Sequence, residues 1–195
     1  MDARTERTRR RWNREAARYD GRRLERAVIR DTRALLCAGA RGRTLDVAVG
    51  TGHDLEFLPP EVTITGLDLS PEMLARARER AEELGRPVTF VEGDAQDLPF
   101  DDGSFDSVVC TLSMCAIPDQ RAALAEMYRV LVPGGRLLMV DHIEYARFPM
   151  RWIERLREYP RGRPRDLAVE AGFVVGHHDR LVFGLVERLV AHRPA

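Results

Sequence analysis

Apolar residues along the chain alternate between two rhythms. Short, nearly continuous runs rich in β-branched and aliphatic residues occupy 44–49, 62–68, 88–92, 105–111 and 136–141. Runs of this length, bounded by glycine, proline or acids, read as strands buried on both faces, which belong in a parallel sheet. Between them apolar residues recur every three or four positions, the period of an amphipathic helix. The spacing predicts a helix over 22–38 carrying Leu24, Val28, Leu35 and Leu36, punctuated by Gly21 and closed by Gly39. It predicts a short helix after the first strand, stopped by Pro59-Pro60. A helix over 70–84 has Ser70 as cap, Pro71 at its first position, Glu72 against the dipole and Gly85 beyond its end. Another runs from about Asp119 to Val132, before the turn Pro133-Gly134-Gly135. Residues 1–20 are polar and dense in arginine, a solvated helix with a frayed start. Trp12, Ala16 and Tyr19 nevertheless share one face that covers something apolar.

The end of the chain changes rhythm. Phe148, Trp152, Ile153, Leu156 and Tyr159 mark an amphipathic segment, and a short helix reaches Ala171 and stops at Gly172. Two strands, 173–177 and 184–191, then follow without a helix between them, as an antiparallel hairpin on one sheet edge. Strand and helix alternate five times before that. The expected architecture is α/β, a doubly wound, mostly parallel seven-stranded sheet with a C-terminal antiparallel hairpin. The 195 residues fit a single domain: N-terminal helices over 1–40, a core over 41–142, and a helix with edge hairpin over 143–195.

Composition narrows the chemistry. Basic and acidic residues number 31 each, so the net charge is zero and offers nucleic acid no overall field. Every basic residue is arginine; the absence of lysine removes Schiff-base chemistry, a phosphate-loop lysine and a Tyr/Lys dehydrogenase pair. Cys37, Cys110 and Cys115 are too few, and odd in number, for a disulfide framework. No apolar leader or membrane-length run is present, so a cytoplasmic protein without stable membrane insertion is expected.

In a doubly wound sheet the ligand lies beyond the carboxyl ends of the strands. The first end is the turn from Ala48 to Gly52, where Gly50 and Gly52 allow tight turning and close approach to a ligand. The second end supplies Asp68, an acceptor for ribose hydroxyls, and the third Asp94, an acceptor for an exocyclic amine. The fourth supplies Thr111-Leu112-Ser113 and the fifth Asp141-His142. Each acid alone reads as a turn residue or helix cap. Acids at three of the five strand ends, beside a glycine turn, suggest instead a nucleoside bearing an amine and a cation, without phosphate.

On these residues the chain resembles the class I S-adenosylmethionine-dependent methyltransferases, in the branch of ubiquinone/menaquinone C-methyltransferases and phospholipid N-methyltransferases. The match is carried by Leu45-Asp46-Val47-Ala48-Val49-Gly50-Thr51-Gly52, by Gly66-Leu67-Asp68-Leu69-Ser70-Pro71-Glu72-Met73-Leu74 and by Glu92-Gly93-Asp94-Ala95. It continues in Phe105-Asp106-Ser107-Val108-Val109 and in Arg129-Val130-Leu131 with Pro133-Gly134-Gly135. The resemblance implies a Rossmann-like methyltransferase fold whose cofactor is S-adenosylmethionine. Asp46, Ala48, Gly50 and Gly52 would hold the methionine moiety, and Asp68, with Leu69 and Met73 beside it, the ribose. Asp94 and Ala95 would border the adenine, and Thr111, Leu112 and Ser113 would lie near the reactive methyl. Tyr19 and the N-terminal helices would close over the cofactor. The family usually has glycine where Ala48 stands; alanine is expected there with a negative φ.

The implied reaction is methyl transfer to a small-molecule or lipid-like acceptor: a quinone, phospholipid headgroup, natural product or thiol. His142 is the first candidate general base, with His53 and Tyr19 behind it; Ser113, Cys115 and His142 are candidate acceptor contacts. Cys110 reads as a strand residue. No metal site is read, since His177-His178 has no ligand spacing to a cysteine or acid. Nucleic acid is not the expected acceptor. The Trp152 segment reads as core-facing or, alternatively, as meeting a lipid surface. A second subunit could complete the acceptor pocket, which leaves a homodimer open. Two other readings stay open: an NAD(P)-binding oxidoreductase, although Leu55 stands where its third small residue belongs, and a non-catalytic S-adenosylmethionine-binding protein.

Overall fold

Strand β1 (Arg43–Val47) lies near the middle of the sheet, and its last four residues are buried. The computed structural model describes residues 2–20, 23–143, 162–181 and 185–195. The expected segment from Phe148 to Tyr159, the punctuating Gly21 and the side chains of Leu24 and Val28 lie outside the described residues. Around β1 run β2 (Thr63–Asp68), β3 (Val88–Glu92), β4 (Phe105–Thr111), β5 (Leu131–His142), β6 (Val174–Leu181) and β7 (Val186–His192). Their spatial order is β3-β2-β1-β4-β5-β7-β6. The pairs from β3 to β5 are parallel; β7 runs antiparallel to both β5 and β6. The chain thus leaves β1 in one direction for β2 and β3, then crosses back to β4. The switch point, where ligands gather in such sheets, falls between β1 and β4.

Alternation along β5 shows how the two faces are filled. Leu137 and Met139 join Leu45, Val47, Val108 and Cys110 under α4 (Gln120–Val130) and α5 (Pro164–Glu170). Leu138 and Val140 join Val109 and Ile64 on the opposite face, against Ile29, Leu36 and Cys37 of α2 (Arg23–Cys37). Helix α3 (Pro71–Glu83) starts as its sequence dictates: Pro71 opens it and the Ser70 hydroxyl accepts from the Met73 N–H at 3.2 Å. Asp119 caps α4 by accepting from the N–H groups of Arg121 and Ala122. Among the described residues no helix is long and apolar enough to cross a membrane.

Several expectations change. Residues 51–58 form turns and no regular helix, although Leu55 and Leu58 are buried as a helical pattern would require. The link between β3 and β4 is also a loop, so strand and helix do not alternate five times. Strand β5 begins at Leu131, because Leu131 pairs with Phe105 and Gly134 and Gly135 pair through their backbones with Arg193. Strand β6 extends to Leu181 through its antiparallel pairing with β7. The N-terminal helix α1 (Ala3–Tyr19) is not frayed among the described residues: Asp2 caps it, its carboxylate accepting from the Thr5 N–H at 2.8 Å.

Candidate active site

A cleft opens at the carboxyl ends of β1, β2, β3 and β4, where ligands gather in such sheets. Its floor at β1 and β2 is made by Ala48, Gly50, Leu67, Asp68, Leu69 and Met73. The Asp68 carboxylate is oriented by backbone: Oδ2 accepts from the Gly50 N–H and Oδ1 from the Ser70 N–H, both at 2.8 Å. Burial pushes its pKa up to about 6, against the pull of N–H groups from Ser70, Gly50 and Leu69. Each oxygen keeps a further lone pair for a hydroxyl donor.

Gly93, Asp94 and Ala95 form the β3 side. Asp94 also holds its own turn: Oδ1 accepts from the Gln96 N–H at 2.9 Å, and both oxygens accept from the Gln96 amide. Leu112, Ser113, Ala116, Ile117 and Pro118 form the β4 side. The Ser113 hydroxyl donates to Thr111 O at 2.8 Å, with Ala48 O at 3.3 Å.

Helix α1 supplies the remaining wall through Thr8, Trp12 and Tyr19. It is tied down along its length. Gln96 donates to Thr5 Oγ1 at 3.3 Å, Arg9 pairs with Glu92 at 2.6 Å, and Ser70 Oγ donates to Asn13 Oδ1 at 2.6 Å. At the far end Asp20 accepts from Thr51 Oγ1 and from Arg80, both at 2.8 Å, and meets His53 Nε2 at 2.9 Å. Thr8 and Trp12 were not singled out as cleft residues in the sequence. Extending the Trp12–Tyr19 face four residues back would have found Thr8.

Four expected cofactor residues sit differently. Asp46 is buried beneath the turn, outside the cleft lining, with no hydrogen-bond partner for either oxygen among the described residues. Burial, then the neighbouring Asp54, push its pKa well up; Arg33 opposes them. Thr111 faces away and donates to Asp54 Oδ2 at 2.7 Å, while Arg33 Nε lies 3.3 Å from Asp54 Oδ1. Gly52 has φ +79°, and a Cβ there would come within 2.9 Å of Leu55 and 3.3 Å of the Ala77 backbone. Its close approach is to α3, not to the cleft. Ala48 lines the cleft but has φ +54°, not the negative value expected, and Leu112 shares that φ. Two non-glycine residues in the left-handed region, both lining one cleft, are stored strain.

The acceptor candidates fall at the β4–β5 corner. His53 is held by Asp20 and lies outside the cleft lining. Cys37 and Cys110 are buried, and burial pushes both thiols up, so they are inert. Cys115 and His142 also lie outside the lining, although Ser113 and Ala116 on either side of Cys115 belong to it. The ligand atoms of Cys115, His142 and Asp141 all fall within 4.8 Å of one another, a grouping that the expectation of no metal site did not foresee.

A methyltransferase-domain model matches residues 45–139. Phosphatidylethanolamine N-methyltransferase of Cereibacter sphaeroides is 39% identical over 134 residues, 66% of each chain. A demethylmenaquinone methyltransferase of Deinococcus radiodurans is 42% identical over 121 residues, 60% of this chain and 50% of that one. The chain therefore spans between about half and two thirds of these relatives. Haemonchus contortus phosphoethanolamine N-methyltransferase 2, solved with S-adenosyl-L-methionine, superposes with a TM-score of 0.69 at 19% identity, over 85% of this chain and 53% of that one. The [4+2]-cyclase SpnF gives 0.72 at 21%, over 85% and 79%, a reminder that this fold hosts more than one chemistry. Domain match, relatives and motifs agree, and the chain belongs to the class I S-adenosylmethionine-dependent methyltransferases.

Proposed function

We propose that this chain transfers the methyl group of S-adenosylmethionine to a small-molecule or lipid-like acceptor, a quinone or phospholipid headgroup by preference. One observation carries the reading: Asp68 stands in the cleft with both oxygens oriented by backbone N–H groups, beside a turn that bears no side chain at Gly50. A Cβ at Gly50 would meet nothing nearer than Ala48 O at 3.9 Å, so the room there admits a ligand's backbone-like portion. The cleft is lined mainly by apolar side chains with a few polar groups, Asp68, Asp94 and Ser113 among them, the usual make-up of a small-ligand site.

In this reading Asp68 accepts from the ribose hydroxyls, and Leu69 and Met73 pack against the sugar. Asp94 and Ala95 border the adenine, and the Ala48–Gly50 backbone holds the methionine end. Tyr19 and α1 close the site. The sulfonium supplies an already activated methyl, so the protein's work is alignment of the acceptor and exclusion of water. Ser113 and Leu112 sit where the cleft meets the β4–β5 corner, and Cys115 and His142 stand beside it on the acceptor side. The relatives named for phosphatidylethanolamine and demethylmenaquinone support the acceptor classes.

The test is formation of S-adenosylhomocysteine by the full chain with S-adenosylmethionine and either phosphatidylethanolamine vesicles or a demethylated naphthoquinone. Turnover with one of them is expected. Tight S-adenosylhomocysteine binding without turnover on either would replace this reading with a non-catalytic or differently directed one.

A further inference from the structure

We propose that Cys115, Asp141 and His142 form a binding site for one divalent cation of the zinc class, at the corner where β4 and β5 end. The inference stands on these side chains and does not rest on the cofactor assignment. Residues from two separate segments meet there: Cys115 in the short 3-10 turn Met114–Ala116, and Asp141 and His142 at the end of β5. One thiol, one carboxylate and one imidazole, all within 4.8 Å, make a mixed S, O, N donor set. Thiolate and imidazole select zinc or a comparable borderline metal over magnesium and calcium, which prefer oxygen alone.

The arrangement is prepared. Asp141 is 1% exposed, and each oxygen is aimed by a backbone N–H: Met114 donates to Oδ2 and His142 to Oδ1, both at 2.6 Å. Hydrogen bonds to a ligating carboxylate fix its orientation in this way. The turn carrying Cys115 is pinned in turn, since Gln120 Nε2 donates to Met114 O at 2.9 Å. His142 Nδ1 lies 3.8 Å from Asp141 Oδ1. Ligands on a tetrahedral zinc ion sit roughly 3.3–3.7 Å apart, given bonds of about 2.0–2.3 Å. Small rotations of Cys115 and His142 about a fixed Asp141 therefore close the set.

Three protein ligands leave a fourth position, the pattern of reactive rather than purely structural zinc sites. Ser113, just before Cys115's turn, and Ala116, its last residue, line the cleft. The open position thus adjoins the acceptor side, where a thiol or hydroxyl bound to the ion would ionise more readily.

The experiment uses the tag-free full chain, stripped with a chelator and titrated with Co²⁺ and then Zn²⁺. One equivalent of cobalt is expected to raise a thiolate-to-metal charge-transfer band in the near ultraviolet, and zinc to remove it. Cys115→Ser abolishes the band, and His142→Ala weakens zinc binding by at least about 10-fold, both with unchanged circular dichroism. Independently of any variant, zinc protects Cys115 from alkylation as read by peptide mass spectrometry, Cys37 and Cys110 being buried. The absence of saturable cobalt or zinc binding overturns the proposal. So does a sulfur band that survives Cys115→Ser, or alkylation of Cys115 at the same rate with and without zinc.

Discussion

At the β1–β3 end of the cleft, functional groups are positioned by backbone: Asp68 by two N–H groups, and the Gly50 turn by that same carboxylate. At the β4–β5 end they are positioned by which strands happen to be neighbours, because Cys115 meets Asp141 and His142 only when β4 lies beside β5. Both ends join separate segments, Gly50 to Asp68 at the first and Met114 to Asp141 at the second; they differ in that the first is one carboxylate over a glycine turn and the second a cluster of three side chains. Backbone construction tolerates little variation and suits a ligand common to many enzymes. Side-chain construction can change one residue at a time and suits a ligand that differs between enzymes. That logic matches the proposed assignment of the cofactor to the first end and the acceptor to the second.

The sharpest way to break this division is to remove one group from each end. Asp68→Ala loses two charge-assisted hydrogen bonds of ~1.5–3 kcal/mol each, so S-adenosylhomocysteine affinity should fall by about 100-fold or more. Cys115→Ala should leave that affinity within about twofold, since a side chain outside the cleft lining forms no direct contact there. Calorimetric titration of both variants reads the contrast. Equal losses would show that the two ends are not separate.

A smaller effect follows from protonation. Asp68 titrates at about 6, and only its ionised form accepts from two hydroxyls. Affinity for S-adenosylhomocysteine should be flat above that pH and fall by about tenfold per unit below it. Stability of the free chain runs the opposite way. A folded-state pKa raised above the unfolded value near 3.9 makes this contribution favourable in acid, and it is lost as pH climbs to about 6. Asp46, also raised by burial, acts in the same sense. Calorimetry and thermal melts across pH 4–8 check both; an affinity that ignores pH over that range contradicts the ribose role of Asp68.

The same contrast explains what could be read from the sequence. Strand positions, the Ser70 and Asp119 caps and the hairpin were legible because each is signalled by neighbouring residues. A short helix was expected between the first strand and Pro59-Pro60, but residues 51–58 form turns; tertiary burial of Leu55 and Leu58 against α2 and α3 fixes them without a helix. Thr111 pointed to the cleft by its place at a strand end, but strand alternation turns it toward Asp54. The Asp20 contacts with Thr51, His53 and Arg80 were hidden because they join three separate segments. The cluster at Cys115 was hidden for the same reason.

The smallest predicted effect concerns the strained residue at each end. Ala48 and Leu112 share φ +54°, yet glycine should act oppositely at the two positions. Ala48 contributes only a methyl group, so Ala48→Gly relieves left-handed strain of about 1 kcal/mol and loses little packing. Part of that gain is returned as extra freedom of the unfolded chain. Melting should rise by about 2 °C, the scale for a chain of this size. Leu112 packs against the core of the α2 face and lines the cleft, so Leu112→Gly removes apolar burial worth about 2 kcal/mol, more than the strain it relieves. Thermal melts of the two variants should therefore shift in opposite directions. If Ala48→Gly melts lower than the parent chain, the strain at that turn is not what distinguishes alanine from glycine there. The methyl group's contacts and the added freedom of the unfolded glycine chain must then together outweigh the cost of the conformation.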